Sequence, residues 1–551
     1  MPWQPMGSSG APNPSCELVG DLLLRSGLRA RIRTVLMAVQ MLFASTRRPS
    51  YCHRQGCRQQ DGQNTDAFHR HNSKLAKAIK LGKRSQKGRF CGETTKRGGT
   101  QIRTGGKGFA ILCLTTWPCR RPGSKLPAAD RISHGMSSRL LVLSNGHGED
   151  LIAQRVLQAL RARRPNLEIQ VLPLVGLGEA FSAGIAAGHL QRIGPQLQLP
   201  SGGFSNQSLR GLARDLGAGL PLLSWRQLQL VRHSAHQGSP VLAIGDLLPL
   251  LLAWSGGGSF GFIGTPKSDH TWATPAPAGW AATPLADAYH RCKGSEWDPW
   301  EWALMGSPRC RLVAVRDQLT AQGLRRHKVA ALAPGNPMMD GFRHTPLPAG
   351  LASQRRLILL AGSRLPEALG NARRLLGCLS LQQPRRPTTV LVASGSAPTA
   401  AAWSELLEQA CFTPLAPAVA SAASGAISSW QLGRWTLLLG QNRFATWAGW
   451  AELGLATAGT ATEQLAGLGV PCLSLPGPGP QFKPGFARRQ SRLLGGAVVP
   501  CHSQQELALK LQQLLDDPSE CARRGALGRA RMGPAGGSAQ LAELVEQQLL
   551  G

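Results

Sequence analysis

A short apolar run, Leu140–Leu143, gives way at once to Ser144-Asn145-Gly146-His147-Gly148. That loop leads into Glu149–Arg163, where Leu151, Ile152, Val156, Leu157 and Leu160 recur at helical spacing. A strand that runs through a glycine-rich turn into an amphipathic helix restricts the fold strongly. A continuous apolar strand with no polar alternation belongs inside a sheet that is covered on both faces, which means an α/β layer architecture. Glu149 and Asp150 fall in the first helical turn, where the helix dipole favours carboxylates. The unit predicts the opening of a Rossmann-like domain.

The same grammar repeats downstream. Ile169–Leu172, Val241–Ile244, Phe260–Ile263, Leu312–Val315 and Val329–Leu332 read as further buried strands, with room between them for crossover helices, so a parallel sheet is expected. Pro346–Gly350 reads as a linker. A second series follows: Leu357–Ala361, Thr389–Ala393, Trp435–Leu439, Leu455–Ala458 and Cys472–Leu475, with helical stretches at Leu365–Leu381 and Gln504–Leu515. The expected fold class is α/β: two Rossmann-like domains, residues 136–345 and 346–551, facing a central cleft. Open α/β sheets bind ligands at the carboxyl ends of their strands, so both ligand edges are expected to border that cleft.

Residues 1–135 read differently. They hold 24 Lys and Arg against 6 Asp and Glu, a net +18 of the chain's +32. They keep no hydrophobic period for long, and His69–Arg89 is almost wholly polar or basic. Such a stretch cannot bury enough surface to offset its chain entropy. The expectation is a disordered extension or a start placed too far upstream, because a clean strand pattern begins directly after Met136. Thr34–Ser45, behind Arg29, Arg31 and Arg33, resembles a signal-peptide core but lies too far from Met1 to act as one. No run of 18 apolar residues occurs, so no spanning helix is expected. The 13 cysteines show no CxxC pair after residue 135, which argues against a zinc site there and suits a reduced compartment.

Three spaced elements of the second half carry chemistry. Leu357–Ala361 runs into Gly362-Ser363-Arg364 and then Glu367; backbone amides and Ser363 there can hold a phosphate oxygen, and Arg364 can pair with a diphosphate. Leu455–Ala458 runs into Gly459-Thr460-Ala461-Thr462-Glu463, where small residues leave space over a helix start and the Glu463 carboxylate can accept from two ribose hydroxyls. Phe486-Ala487-Arg488-Arg489-Gln490 is a basic helical stretch close behind. Each has a plainer reading, as a strand-to-helix turn, a cap or a solvated face.

Together these elements resemble the nucleotide-binding half of lipid-A-disaccharide synthase, with the peptidoglycan transferase that acts on lipid-linked muramyl-pentapeptide as a more distant relative. Ser144–Asp150 resembles the family's first glycine-rich loop, and Gly335-Asn336-Pro337-Met338-Met339-Asp340 its Gly-x-x-Met-x-Asp. SNGHGED and GNPMMD are most similar to a cyanobacterial-type group described only as related to that synthase. Two departures stand out. Asp246 is retained, but its surroundings, Ile244-Gly245-Asp246-Leu247-Leu248-Pro249, do not match the family. The segment Lys267–Arg309, with Trp272, Trp280, Trp297, Trp300 and Trp302, has no counterpart in it.

The resemblance implies a GT-B glycosyltransferase that moves a hexosyl group from a UDP sugar to a lipid or lipid-linked acceptor, with inversion. It would act in the cytoplasm, peripherally on the inner face of the plasma membrane, with a UDP sugar as co-substrate and no cofactor. The donor contacts would be Gly362, Ser363, Arg364, Glu367, Gly459, Thr460, Ala461, Glu463 and Gln490. Asn145, Gly146, Gly148, Asp150, Lys267 and Asn336 would line the acceptor side, with Lys267 alternatively a solvated loop residue. His147, placed in a loop between two glycines, and Asp246, at the end of a buried strand, are the two base candidates; an imidazole titrates near 6.5, and the plainer role of Asp246 is an N-cap. No Asp-x-Asp occurs, so no metal is expected. The tryptophans suit either a lipid interface or the core of an insertion. Rival readings are a sugar-nucleotide epimerase, which needs further carboxylates in the cleft, a non-catalytic UDP-sugar-binding protein, and a nucleic-acid-binding protein resting on the basic extension. The last is set aside with residues 1–135, so no nucleic-acid partner is expected, and the oligomeric state is left open.

Overall fold

The computed structural model describes residues 139–196, 217, 219–416, 424–477, 479 and 482–551, all within one compact unit. The extension 1–135, Thr34–Ser45 and Met136 lie outside the described residues.

β1 (Arg139–Ser144), β2 (Glu168–Pro173), β3 (Gln191–Arg192), β4 (Val241–Gly245), β5 (Phe260–Gly264), β6 (Cys310–Val315) and β7 (Ala331–Leu332) form a seven-stranded sheet in the order β3-β2-β1-β4-β5-β6-β7. Every pairing in it is parallel. The period-two geometry of β1 explains why its residues are apolar without break: Leu140 and Val142 enter one buried cluster, Leu141 and Leu143 another on the opposite face. The strand expected at Val329–Leu332 shortens to its last two residues.

β8 (Arg355–Leu360), β9 (Thr388–Ser394), β10 (Thr413–Leu415), β11 (Ser428–Leu432), β12 (Trp435–Gln441), β13 (Leu453–Ala456), β14 (Cys472–Ser474) and β15 (Val498–Pro500) form the second sheet, ordered β10-β11-β12-β9-β8-β13-β14-β15. It is parallel except at one edge, where β11 runs antiparallel to both of its neighbours, β10 and β12. β11 and β12 are joined by Gly433-Arg434, a two-residue hairpin loop whose glycine takes a positive φ of 58°. The chain is thus the two-domain α/β build expected from the sequence.

The helices that position the candidate site are α1 (His147–Arg163), α2 (Leu247–Gly256), α3 (Pro299–Met305), α4 (Glu367–Ser380), α5 (Thr460–Leu468), α6 (Pro484–Leu493), α7 (Pro518–Met532) and α8 (Gly537–Val545). After α7 the chain leaves the second sheet and returns: α8 packs on α1 of the first domain. The Asp340 carboxylate fastens that return by accepting from the backbone N–H of Gly536 at 2.5 Å and of Ser538 at 2.7 Å. Two carboxylate bonds at the start of α8 satisfy donors that a helix leaves open. Met338 and Met339 join the buried cluster that contains Val545 and Leu465, so one apolar core runs through both domains. Among the described residues no helix is long and apolar enough to cross a membrane.

Candidate active site

At the centre of each sheet the strand order reverses, between β1 and β4 in the first and between β8 and β13 in the second. At such a point the two neighbouring crossovers leave on opposite faces and open a crevice at the carboxyl edge. The loops after β1 and β4 carry Asn145–Gly148 and Asp246; those after β8 and β13 carry Gly362–Arg364 and Gly459. All four loops singled out from the sequence therefore stand at a reversal point.

At the first reversal point Asn145 Nδ2 donates to Asp246 Oδ1 at 2.7 Å and ties the two loops together. Asp246 also caps α2, accepting from Leu248 N at 3.2 Å. Burial pushes its carboxyl above the usual range, against the pull of the Leu248 N–H, Lys267 and Asn145. Asp150 lies beneath the loop, buried, with the Ser144 hydroxyl donating to it. Burial raises it to about 6, while Ser144 and Arg192 act the other way.

His147 is not a loop residue. It is the first residue of α1, capped by Gly146 backbone without a side chain, and it is exposed. The residue that the sequence reading passed over is Glu149. It lies half-buried in the same helical turn, and its carboxyl is raised to about 7. Burial is the main cause; like charge on Asp246, on Asp150 and, from the second domain, on Glu463 adds to it, while its own backbone N–H opposes. A carboxylate in a first helical turn looked like a dipole complement, and only the tertiary fold shows which other carboxylates surround it.

At the second reversal point α5 begins behind Gly459 with no side-chain cap, leaving its first turn of amides directed outward. Thr462 donates to the Ala458 carbonyl at 2.6 Å. Ser363 and Arg364 are exposed at the mouth. Glu367 starts α4 and accepts from Phe482 N at 3.4 Å, which sets the α6 approach beside the Gly362 loop. Gln490 is buried and does not reach into the opening: its amide donates to the carbonyl of Gly459 at 3.1 Å and of Ala458 at 3.4 Å. It holds the loop from behind.

The two reversal points meet. A Cβ at Gly148 would lie 3.3 Å from Thr460 Oγ1, tighter than an ordinary contact, so the first turns of α1 and α5 stand against each other. Beside that contact Arg316, just past β6, pairs with Glu463 across the domains at 2.9 Å, with both side chains largely buried. Glu463 was expected to face a ribose; in this structure it faces Arg316.

Two further expected acceptor residues serve the scaffold. Asn336 is buried and caps Pro337–Met339 through Met338 N at 3.1 Å. Lys267 binds Glu301 of α3 at 2.5 Å and stands over the Trp297 ring. It is therefore not a solvated loop residue, though its charge still reaches Asp246. The tryptophans divide: Trp297 is core, edge-on to Phe262, and Trp302 stacks on His327. Trp280 crosses to the second domain, stacking on His502 and donating to the Pro500 carbonyl at 3.1 Å. Arg492 of α6 answers from the other side, binding Asp287 and the carbonyls of Trp272 and Thr274. Only Trp300, 50% exposed, stands in solvent. The insertion is chiefly an inter-domain strap.

The fold and site define a class: two Rossmann-like domains in one chain with their reversal points in contact. No family model matches this chain, and no curated protein matches it. Among solved structures it is similar to MurG of Acinetobacter baumannii, at 14% identity over 75% of this chain and 100% of that one, with a TM-score of 0.43. Os79 of O. sativa, solved in complex with UDP, gives 13% identity over 73% and 98%, with a TM-score of 0.45. UDP-GlcNAc 2-epimerase from Neisseria meningitidis, bound to UDP-GlcNAc, gives 12% over 75% and 99%, with a TM-score of 0.40.

Proposed function

We propose that this chain is a glycosyltransferase that moves a hexosyl group from a UDP sugar to a hydroxyl of a lipid or lipid-linked acceptor, inverting and metal-independent, peripherally at the cytoplasmic face of the membrane. The observation that carries the reading is the meeting of the two reversal points, which sets an uncapped helix start against a carboxylate held near neutrality. The diphosphate lies over the first turn of α5, where amides and the helix dipole favour an anion. Arg364 offsets the charge that grows on the departing UDP. The uridine and lipid assignments rest on the resemblance of the three spaced elements.

Glu149, rather than His147, takes the acceptor proton. A base must match the working pH to be both ionised and strong enough, and a carboxyl at about 7 does so. Asp246, held by Asn145 and Leu248 N–H, orients the acceptor hydroxyl beside it. The test is turnover of UDP-N-acetylglucosamine with a lipid extract: release of UDP that depends on the acceptor supports the reading, and release without any acceptor contradicts it.

One observation favours a second reading. A sugar-nucleotide epimerase needs several carboxylates in the cleft, and the fold gathers Glu149, Asp150, Asp246 and Glu463 about one point. Conversion of the UDP sugar to a second sugar in the absence of acceptor, followed by NMR, would establish the epimerase and end the transferase reading.

A further inference from the structure

Phe486 and Gln490 stand one turn apart on α6 and share a face. That face is turned to the Gly459 loop: Gln490 reaches the Gly459 carbonyl at 3.1 Å, and a Cβ at Gly459 would lie 3.7 Å from the tip of the Phe486 ring. The two residues differ in depth. Gln490 is 2% exposed and spends its amide on the loop, whereas Phe486 is 37% exposed at the mouth. Phe482, buried, sets the Phe486 ring edge-on at 5.4 Å and 61°, and Phe482 N is itself held by Glu367. An aromatic ring is thus fixed with part of its surface in solvent, beside the turn where α5 begins.

We infer that Phe486 is the platform on which the hexose of the donor rests, and so a specificity-determining residue; this builds on the nucleotide-sugar reading above. A pyranose carries an apolar face of C–H groups that packs against an aromatic ring, and a ring already held by its neighbours loses little freedom on binding. The place fits the sugar rather than the base. With the diphosphate over the first turn of α5, Glu463 lies further along that helix on the Arg316 side, and Phe486 flanks the turn at its Gly459 end. The base and ribose belong toward Glu463, and the hexosyl group toward α6. Gln490, which the sequence suggested as a donor contact, is already engaged behind the loop and leaves this contact to Phe486.

Calorimetric titration of the full chain and of Phe486→Ala and Phe486→Trp with UDP and with UDP-N-acetylglucosamine tests the inference. The expected result is about a tenfold weaker Kd for the UDP sugar in Phe486→Ala, a change of less than about twofold for UDP, and recovery in Phe486→Trp. Equal weakening toward UDP and the UDP sugar would overturn it by placing the base on the ring. An unchanged affinity for both would overturn it by making Phe486 a packing residue only. Thermal melts of the variants separate either outcome from unfolding. If the unaltered chain binds neither ligand, it is the nucleotide-sugar reading itself that fails.

Discussion

The two reversal points share one topology and carry opposite chemistry. At the first, Glu149, Asp150 and Asp246 crowd a buried edge, and burial lifts all three carboxyls above their ordinary range. At the second, small residues open a helix start beside exposed Ser363 and Arg364. A fold that repeats itself has therefore been loaded unequally. An acidic, partly desolvated edge can move protons but repels a diphosphate, and an amide-rich edge with a cation can hold a diphosphate. Proton transfer then belongs to the first half and donor binding to the second, and variants in each half should separate the two.

The largest effect is expected at Glu149. Glu149→Gln should lower turnover by about a hundredfold or more, since a positioned base is worth that much, with the donor KM little changed. Its ionised form is the active one, so in the unaltered protein the rate should fall as pH drops through about 7, and that limb should vanish in Glu149→Gln. His147→Ala, altering an exposed side chain, should cost less than about tenfold; a reversal of the two results would return the base to His147. The same carboxyl links stability to pH. Its folded pKa lies above the ordinary 4.5, so the folded state favours the protonated form, and stability is lost as pH rises from there through about 7. Glu149→Gln should therefore raise the melting temperature at pH 8 and leave it nearly unchanged at pH 4.

Next come the donor residues. Arg364→Ala and Glu463→Ala should each weaken UDP-sugar binding by about tenfold or more, read by calorimetry, whereas Asp246→Asn should leave that affinity intact while cutting turnover. An Asp246→Asn variant that lost donor binding would erase the division between the halves. Asp340→Ala tests the scaffold alone. Two carboxylate bonds at the start of α8 are lost, and a cost of about 3 kcal/mol in chemical denaturation is expected. The smallest effect is expected at Trp280→Ala, about 1 kcal/mol, because its stack on His502 is only half-buried.

Much of the fold was legible because it rests on local patterns. Unbroken apolar runs such as Leu140–Leu143 and Leu357–Ala361 can sit only in covered strands, and each came with its loop and helix. The antiparallel edge, β10 beside the β11–β12 hairpin, was not legible. Thr413–Leu415 is three residues long and wholly exposed, with no period to read, and the Gly433-Arg434 turn lacks the Asn-Gly or Asp-Gly signature. The return of α8 was hidden as well, since its partner α1 lies almost 400 residues upstream and Asp340 reads as part of a different motif.

Within the site, sequence found the loops and misjudged which of their residues face outward. Gln490 and Asn336 are polar residues in motif-like settings, yet both are buried and spent on backbone groups. Glu149 resembled an ordinary dipole complement until Asp246 and Glu463 were brought to it by strands 100 and 300 residues away. Lys267 is fixed by Glu301, a partner that no local pattern announces. Spacing shows where a loop stands; burial and cross-domain charge decide what each side chain there can do.

The central claim is that the second reversal point holds a nucleotide sugar. Titration of the full chain with UDP-N-acetylglucosamine and UDP, repeated with Arg364→Ala, measures it directly. Saturable binding of both ligands by the unaltered chain, about tenfold weaker in Arg364→Ala, is the expected result; failure of every uridine nucleotide to bind the unaltered chain would show that this crevice is not a nucleotide-sugar site.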